Sequence, residues 1–177
     1  MNICNISVEK ENSRGLSEAY KAYFPKIYKY VLYRVSDHST AEDLVSEVFE
    51  KVLRNYHTFD PGKGKFSTWL FTIANNAVIN YYRMNNRNTD PADPEKLEAN
   101  YRLEDLIVNQ ELTEFLLKAI KHLDERQRNI IAFKFGACLS NRQIAEMTNI
   151  SESNVGTILY RSLKKLKHIL KEQGVIY

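Results

Sequence analysis

Apolar residues recur at three- and four-residue spacing along almost the whole chain, which is the period of an α-helix. No stretch alternates apolar and polar residues between turns as a strand would, so the pattern predicts an all-α protein without a sheet. A first helix is expected from Leu16 to Val35, bent or broken at Pro25, which has no N–H for the helix ladder. A second should begin at Ser39, where "STAED" sets Glu42 at capping-box distance, with Leu44, Val45, Val48, Phe49 and Val52 on one stripe. After the turn-rich "HTFDPGKGK", a third carries Phe66, Trp69, Leu70, Ile73, Ala77 and Tyr81 on its apolar side.

Residues 85–100, "NNRNTDPADPEKLEAN", hold two prolines, several Asn and several acids, and this composition buries too little apolar surface to fold alone. They are read as a flexible linker. A second helical block starts near Leu106, with Leu112, Phe115, Leu116, Ala119, Ile120 and Leu123 on one amphipathic helix. Another helix runs from Asp124 to Phe135 and stops at Gly136.

The most informative stretch follows: "SNRQIAEMTNISESNVGTILYRSLKKL", residues 140–166. Ser140 and Gln143 form a capping box, Asn149 suits a left-handed turn, and Ser151 caps a long helix. That helix has Val155, Ile158, Leu159, Leu163, Leu166 and Leu170 as its buried stripe. The spacing is that of a helix-turn-helix. The second helix then turns Ser153, Asn154, Gly156, Thr157, Tyr160, Arg161 and Lys164 outward, where a major groove would accept them. Lys164, Lys165 and Lys167 suit phosphates, which set register and affinity rather than sequence. A helical hairpin with a solvated basic face is the plainer alternative.

Charge sharpens this picture. Residues 1–83 carry 11 basic and 9 acidic side chains, residues 84–111 carry 3 and 7, and residues 112–177 carry 11 and 6. An acidic connector between two mildly basic halves points to polyanion contacts at both ends. Cys4 and Cys138 lie far apart without a C-x-x-C spacing, and His38, His57, His122 and His168 form no metal-ligand pair at helical spacing. Neither a metal nor a cofactor is expected. No apolar run approaches the ~20 residues of a membrane span, and the N-terminus lacks a signal pattern, so membrane insertion is not expected and a cytoplasmic setting is.

The first block carries a resemblance of its own. "AEDLV-EVF" and "F-x-x-W-L-x-x-I-A-x-N" resemble region 2 of the sigma-70 family, in particular the compact extracytoplasmic-function (ECF) sigma factors. "LDERQRNIIAFKF" with the helix-turn-helix resembles sigma region 4, and the likeness covers about residues 16–170 in the family's order. It implies two small helical domains joined by a flexible acidic linker: region 2 over 12–84, linker over 85–105, region 4 over 106–172.

The implied function is that of a transcription initiation factor, not an enzyme. Such a protein binds core RNA polymerase through the clamp coiled coil and the flap, directs it to promoter DNA and helps open the duplex. By this resemblance Asp43, Leu44, Ser46, Glu47 and Phe49 would meet the clamp, although relatives usually carry Gln at the position of Ser46. Phe59, Lys63, Lys65, Asn76, Asn80 and Arg83 would meet the −10 element, with Phe59 and Asn76 at a pocket for a flipped base. Phe59 is equally readable as a core anchor. Relatives often carry basic residues at the positions of Thr72, Asn75 and Gly156. Asp90, Asp93, Glu95, Glu98, Glu104 and Asp105 would let the linker mimic RNA, or would simply solubilise a tether.

An anti-sigma factor is a further expected partner, and a membrane-bound one would hold the protein at the inner membrane. Three rival readings stand beside this one. A nucleotide-using enzyme is disfavoured because "PGKGKFST" lacks the phosphate-loop spacing and no strand precedes it. A stand-alone repressor leaves the first block unexplained. A polymerase-binding protein that has lost promoter reading would be indifferent to Arg161.

Overall fold

The computed structural model describes residues 3–85 and 110–175, with side chains from Ser17 and from Glu111 onward in the two stretches. Among the described residues every regular element is helical, as the apolar period predicted. The order is α1 (Ile3–Val35), α2 (His38–Asn55), a 3-10 turn (Tyr56–Thr58), α3 (Phe66–Asn85), α4 (Gln110–Lys121), α5 (Glu125–Ile131), α6 (Asn141–Thr148) and α7 (Glu152–Glu172). A π turn, Ala132–Gly136, continues α5. The expected linker, its acidic residues and the expected helix start near Leu106 lie outside the described residues.

The first half is a bundle of α1, α2 and α3. Ile27, Val31 and Leu32 of α1 meet Leu44, Val45, Val48 and Val52 of α2 and Leu70, Phe71, Ala74 and Val78 of α3, all buried. Each of these side chains larger than Ala74 is worth about 1.5–3 kcal/mol on burial. An aromatic ladder extends the contact: Tyr20 and Phe24 lie 4.6 and 5.9 Å from Phe49 between ring centres. That packing bears on Pro25, where a bend or a break is expected: the break does not occur. α1 runs through Pro25 without ending, because the rings on either side of it hold the helix against α2 while the chain forgoes one ladder hydrogen bond.

A correction concerns the start of α2. The cap is Asp37, not Ser39: its carboxylate accepts the backbone N–H of Thr40 at 2.8 Å, and the helix begins at His38. Ser36, at φ 54°, supplies the left-handed residue that turns the chain between α1 and α2. The apolar edge of α3 is also shifted from expectation. Leu70, Phe71, Ala74, Ala77 and Val78 are buried, whereas Phe66, Trp69, Ile73 and Tyr81 pack only partly buried at the margin.

In the second half α7 is the spine on which α4, α5 and α6 rest. Val155, Leu159, Ser162 and Leu166 form its buried line. Leu163, expected inside, is 45% exposed, because the α7 stripe falls one position earlier. Ser162 fills that place and its hydroxyl donates to Ile158 O at 2.7 Å, a small polar residue satisfied within its own helix. Leu112 is likewise exposed rather than in the core. Asp124 and Gln127 close a capping box at the start of α5, and Lys165 Nζ donates to His122 O, tying α7 to the end of α4.

The two halves are in contact. α1 packs against α5 and the π turn, α3 touches α6, and the buried apolar residues of both halves form one continuous cluster.

The cap assignment makes a direct prediction. Asp37→Ala should lower stability by about 1 kcal/mol, while Ser39→Ala should change it by only a few tenths, measured by urea denaturation. Burial pushes the Asp37 carboxyl up. The hydrogen bonds from Thr40, with His38 and Lys121 nearby, outweigh that and hold it below the usual carboxylate range. Its contribution is therefore complete above the unfolded value of ~3.9 and is lost as pH falls through the lower folded value. Asp37→Asn should remove that part of the acid sensitivity while keeping the cap.

Candidate nucleic-acid interface

The helix-turn-helix is built by three local devices that the sequence announced. Ser140 Oγ accepts the N–H of Gln143, and Gln143 Oε1 accepts the N–H of Ser140, so α6 starts with two of its orphan donors satisfied. Asn149 sits at φ 53°, ψ 45°, and Ile150 N–H returns to Ala145 O at 3.2 Å, closing α6. Ser151 Oγ then accepts the N–H of Asn154 and opens α7. Ile144 and Val155, both fully buried, pin the two helices against each other.

On the outer face of α7, Ser153, Asn154, Thr157, Tyr160, Arg161 and Lys164 are all exposed, Tyr160 at 69%. Neither Arg161 nor Lys164 pairs with a carboxylate among the described residues, so both cations are free for an anionic partner. Thr157 donates its proton to Ser153 O at 3.0 Å, which leaves it an acceptor and a methyl group to present. A Cβ at Gly156 would meet nothing within 4 Å, so its small size answers no internal contact. Lys165 is exposed and one of its three ammonium donors is taken by His122 O.

The second candidate surface lies around the turn before α3. Phe59 is half-buried, its ring edge-on to Phe66 at 5.3 Å and tilted on Trp69 at 5.6 Å. The same ring thus anchors an aromatic cluster while staying only partly buried. Asp60 accepts the Gly62 N–H and shapes the turn that presents Lys63 and Lys65. Lys63 reaches Asp60 only at 3.7 Å and stays 86% exposed. Asn76 and Arg83 are exposed and Asn80 is half-buried further along α3. Asn75 points elsewhere: Tyr30 Oη lies 2.9 Å from its Oδ1, drawing it into the interior.

The third surface is the outer face of α2. Asp43, Ser46 and Glu47 are exposed, with Glu47 paired to Lys51 and the Ser46 hydroxyl donating to Glu42 O. Leu44 and Phe49, read from sequence as part of this grip, are 5% and 9% exposed and belong to the core. The face is therefore polar and acidic, narrower than expected. Among the described residues no group of His, Cys, Asp and Glu could hold a metal.

Sequence reasoning missed one group altogether: Tyr30, Arg34, Tyr82, Asn129 and Gly136, which line the contact between the halves. Gly136 reads from the sequence only as a helix stop, and nothing local singles out Arg34. Only the docking of α1 on α5 shows otherwise.

Two family models match the chain: Sigma-70 region 2 over residues 19–88 and Sigma-70 region 4 over residues 115–166. ECF RNA polymerase sigma factor SigX of Bacillus subtilis is 32% identical over 164 residues, covering 87% of this chain and 84% of that one. ECF RNA polymerase sigma factor BldN of Streptomyces coelicolor is 31% identical, and the match spans 88% of this chain but only 60% of BldN. Among solved structures, the sigma factor RpoE bound to the anti-sigma factor NepR from Bartonella quintana has the same fold. Its TM-score is 0.71 at 22% identity, covering 89% of this chain and 98% of that one. With both regions present in order, and a relative of this identity matched over most of its length, the chain belongs to the ECF sigma factors of the sigma-70 family.

Proposed function

We propose that the protein is an alternative sigma factor that binds core RNA polymerase, directs it to promoters and assists duplex opening. One observation carries this reading. A helix-turn-helix with an unpaired reading face stands in the same chain as a bundle that presents a cationic, aromatic turn and an acidic helix face. A stand-alone DNA-binding protein needs only the first of these. The protein acts by binding and positioning, with transcription chemistry left to polymerase.

Within this reading, Asn154, Thr157, Tyr160 and Arg161 read the −35 element while Lys164 meets phosphate. Gly156 lets the α7 backbone approach the groove closely. Phe59 and Asn76 would hold an unstacked base of the −10 element, at ~1–3 kcal/mol per stacked base, with Lys63, Lys65, Asn80 and Arg83 along the strand. Asp43, Ser46 and Glu47 meet the polymerase clamp. An anti-sigma factor is a natural partner, since the fold's solved counterparts include RpoE with NepR and CnrH with CnrY. No helix among the described residues is long and apolar enough to cross a membrane. Retention at a membrane would therefore fall to such a partner.

The decisive experiment is in vitro transcription with core RNA polymerase and a genomic promoter library. Discrete new starts sharing two spaced motifs are expected; binding to DNA without binding to core would instead make the protein a repressor. Arg161→Ala should lower initiation at promoters that depend on a −35 element by about tenfold, in line with ~1–3 kcal/mol for a lost base contact. Unchanged transcript yield would remove Arg161 from the DNA face. Asp43→Arg should weaken core binding by tenfold or more, on the order of the 2–5 kcal/mol seen for charge pairs at interfaces, without altering the melting temperature. An unmoved affinity would place the clamp contact on another helix.

A further inference from the structure

Beside the contact between the halves lies a cleft of about 350 Å3, in the size range of small-molecule sites, that none of the three surfaces above uses. Ile130 of α5, Met147 of α6 and Ile150 form its apolar lining, and Asn75 of α3 with Asn129 and Arg126 of α5 are its polar groups. Its walls come from both halves, and their fit is tight. An added Cβ at Gly136 would lie 2.7 Å from both Tyr30 Cα and Tyr30 N, so the backbones meet closely along this seam.

The seam dictates what the cleft offers. The Tyr30 ring is fully buried, and its hydroxyl lies 2.9 Å from Asn75 Oδ1 and 3.1 Å from Asn129 Oδ1. A phenol has a single proton, so it donates to one amide and accepts from the other, with that amide turned to present its NH2. Whichever amide turns, the pair keeps one NH2 and one carbonyl uncommitted, since neither side chain has another hydrogen-bond partner among the described residues. Both are only partly buried, so these groups stay in reach of a ligand. Thr148 adds no donor, because its proton goes to Ile144 O at 2.6 Å. Arg126 is exposed and pairs with no carboxylate among the described residues. The cleft thus presents a donor beside an acceptor, an apolar lining and a cation.

Those groups select a ligand class. A planar heterocycle suits Ile130, Met147 and Ile150, and a phosphate suits the Arg126 guanidinium. Adenine is the nucleobase whose pairing edge carries an amino donor, a ring-nitrogen acceptor and nothing else polar. Guanine, cytosine and uracil each carry a third polar group there, which the cleft would leave unpaired against apolar side chains, at a cost. A lone cation and a cleft of this size match a free mononucleotide better than a strand, whose phosphates need a cationic track. We propose that this cleft binds a free adenine nucleotide, with the base edge on Asn75 and Asn129 and the phosphate on Arg126. The site belongs to the chain without polymerase or promoter, so its test is independent of the sigma reading.

Isothermal titration calorimetry of the full chain with AMP should show saturable binding at a single site, with GMP, CMP and UMP at least about tenfold weaker. Arg126→Ala, at an exposed position, should weaken AMP binding about tenfold and leave adenosine binding unchanged, a split that a merely structural role would not produce. Asn75→Asp removes the free donor whichever amide is turned, and should weaken AMP and adenosine alike by about tenfold or more. Because Asn75 also holds Tyr30, the wild type gives a second readout: the side-chain NH2 resonances of Asn75 and Asn129 should move on adding AMP. No AMP binding at millimolar concentration, or binding that moves neither resonance and ignores Arg126→Ala, would overturn the site. Equal affinity for the other nucleotides would overturn its adenine character. Capture of single-stranded oligodeoxyadenylate without capture of AMP would overturn the free nucleotide as its ligand.

Discussion

The packing of this molecule depends on one stretch of α1, from Ile27 to Arg34, being buried on more than one side. Tyr30 shows the constraint most clearly. Phe71 of the first half meets its ring edge-on at 5.8 Å, and Phe133 of the second half stacks on it at 4.7 Å. Burial pushes its phenol well above the usual tyrosine range, with the nearby Arg34 pulling it back only in part. The ring is thus a neutral core residue of both halves at once, and its hydroxyl must find partners inside the protein. Asn75 and Asn129, both partly buried, supply them, one from each half. Close by, Tyr82 donates to the Arg34 carbonyl at 2.6 Å, satisfying the end of the helix.

How much of this was readable beforehand depended on the range of the interaction concerned. Local devices were legible because their partners lie within four residues: the Ser140–Gln143 box, the left-handed Asn149 and the Ser151 cap all stand as read. The α2 cap failed for an instructive reason. Ser39 and Glu42 have the right spacing, but Asp37 lies nearer the sharp turn at Ser36 and captures the helix first. At Pro25 the break does not occur, in keeping with tertiary packing of aromatic rings outweighing an intrinsic preference. Leu44 and Phe49 were assigned to a surface by resemblance, while their period put them inside; period was the better guide. The seam was illegible for a third reason, since a buried Arg and a helix-terminal Gly have common local explanations and only long-range docking distinguishes them.

The outward surfaces follow a consistent division of labour. Side chains with a proposed reading role are exposed and largely free of internal commitments, as Arg161 and Lys164 are. Internal bonds orient some of their neighbours, as for Lys165 with His122 O and Asn75 with Tyr30. Phe59 is partly buried, packed on Phe66 and Trp69 and still in reach of solvent.

The π turn at Ala132–Gly136 has a last consequence. Such a turn is an α-helix carrying one residue more than its regular pitch admits, here with Ala137 N–H reaching back to Ala132 O. Removing one residue would restore the α pitch and rotate everything after it by about 100°. Gly136 would then swing away from α1 and a bulkier neighbour would face Tyr30. The surplus residue therefore acts as a phase setting: it decides which side of the second half the first half meets, independently of how well either is folded.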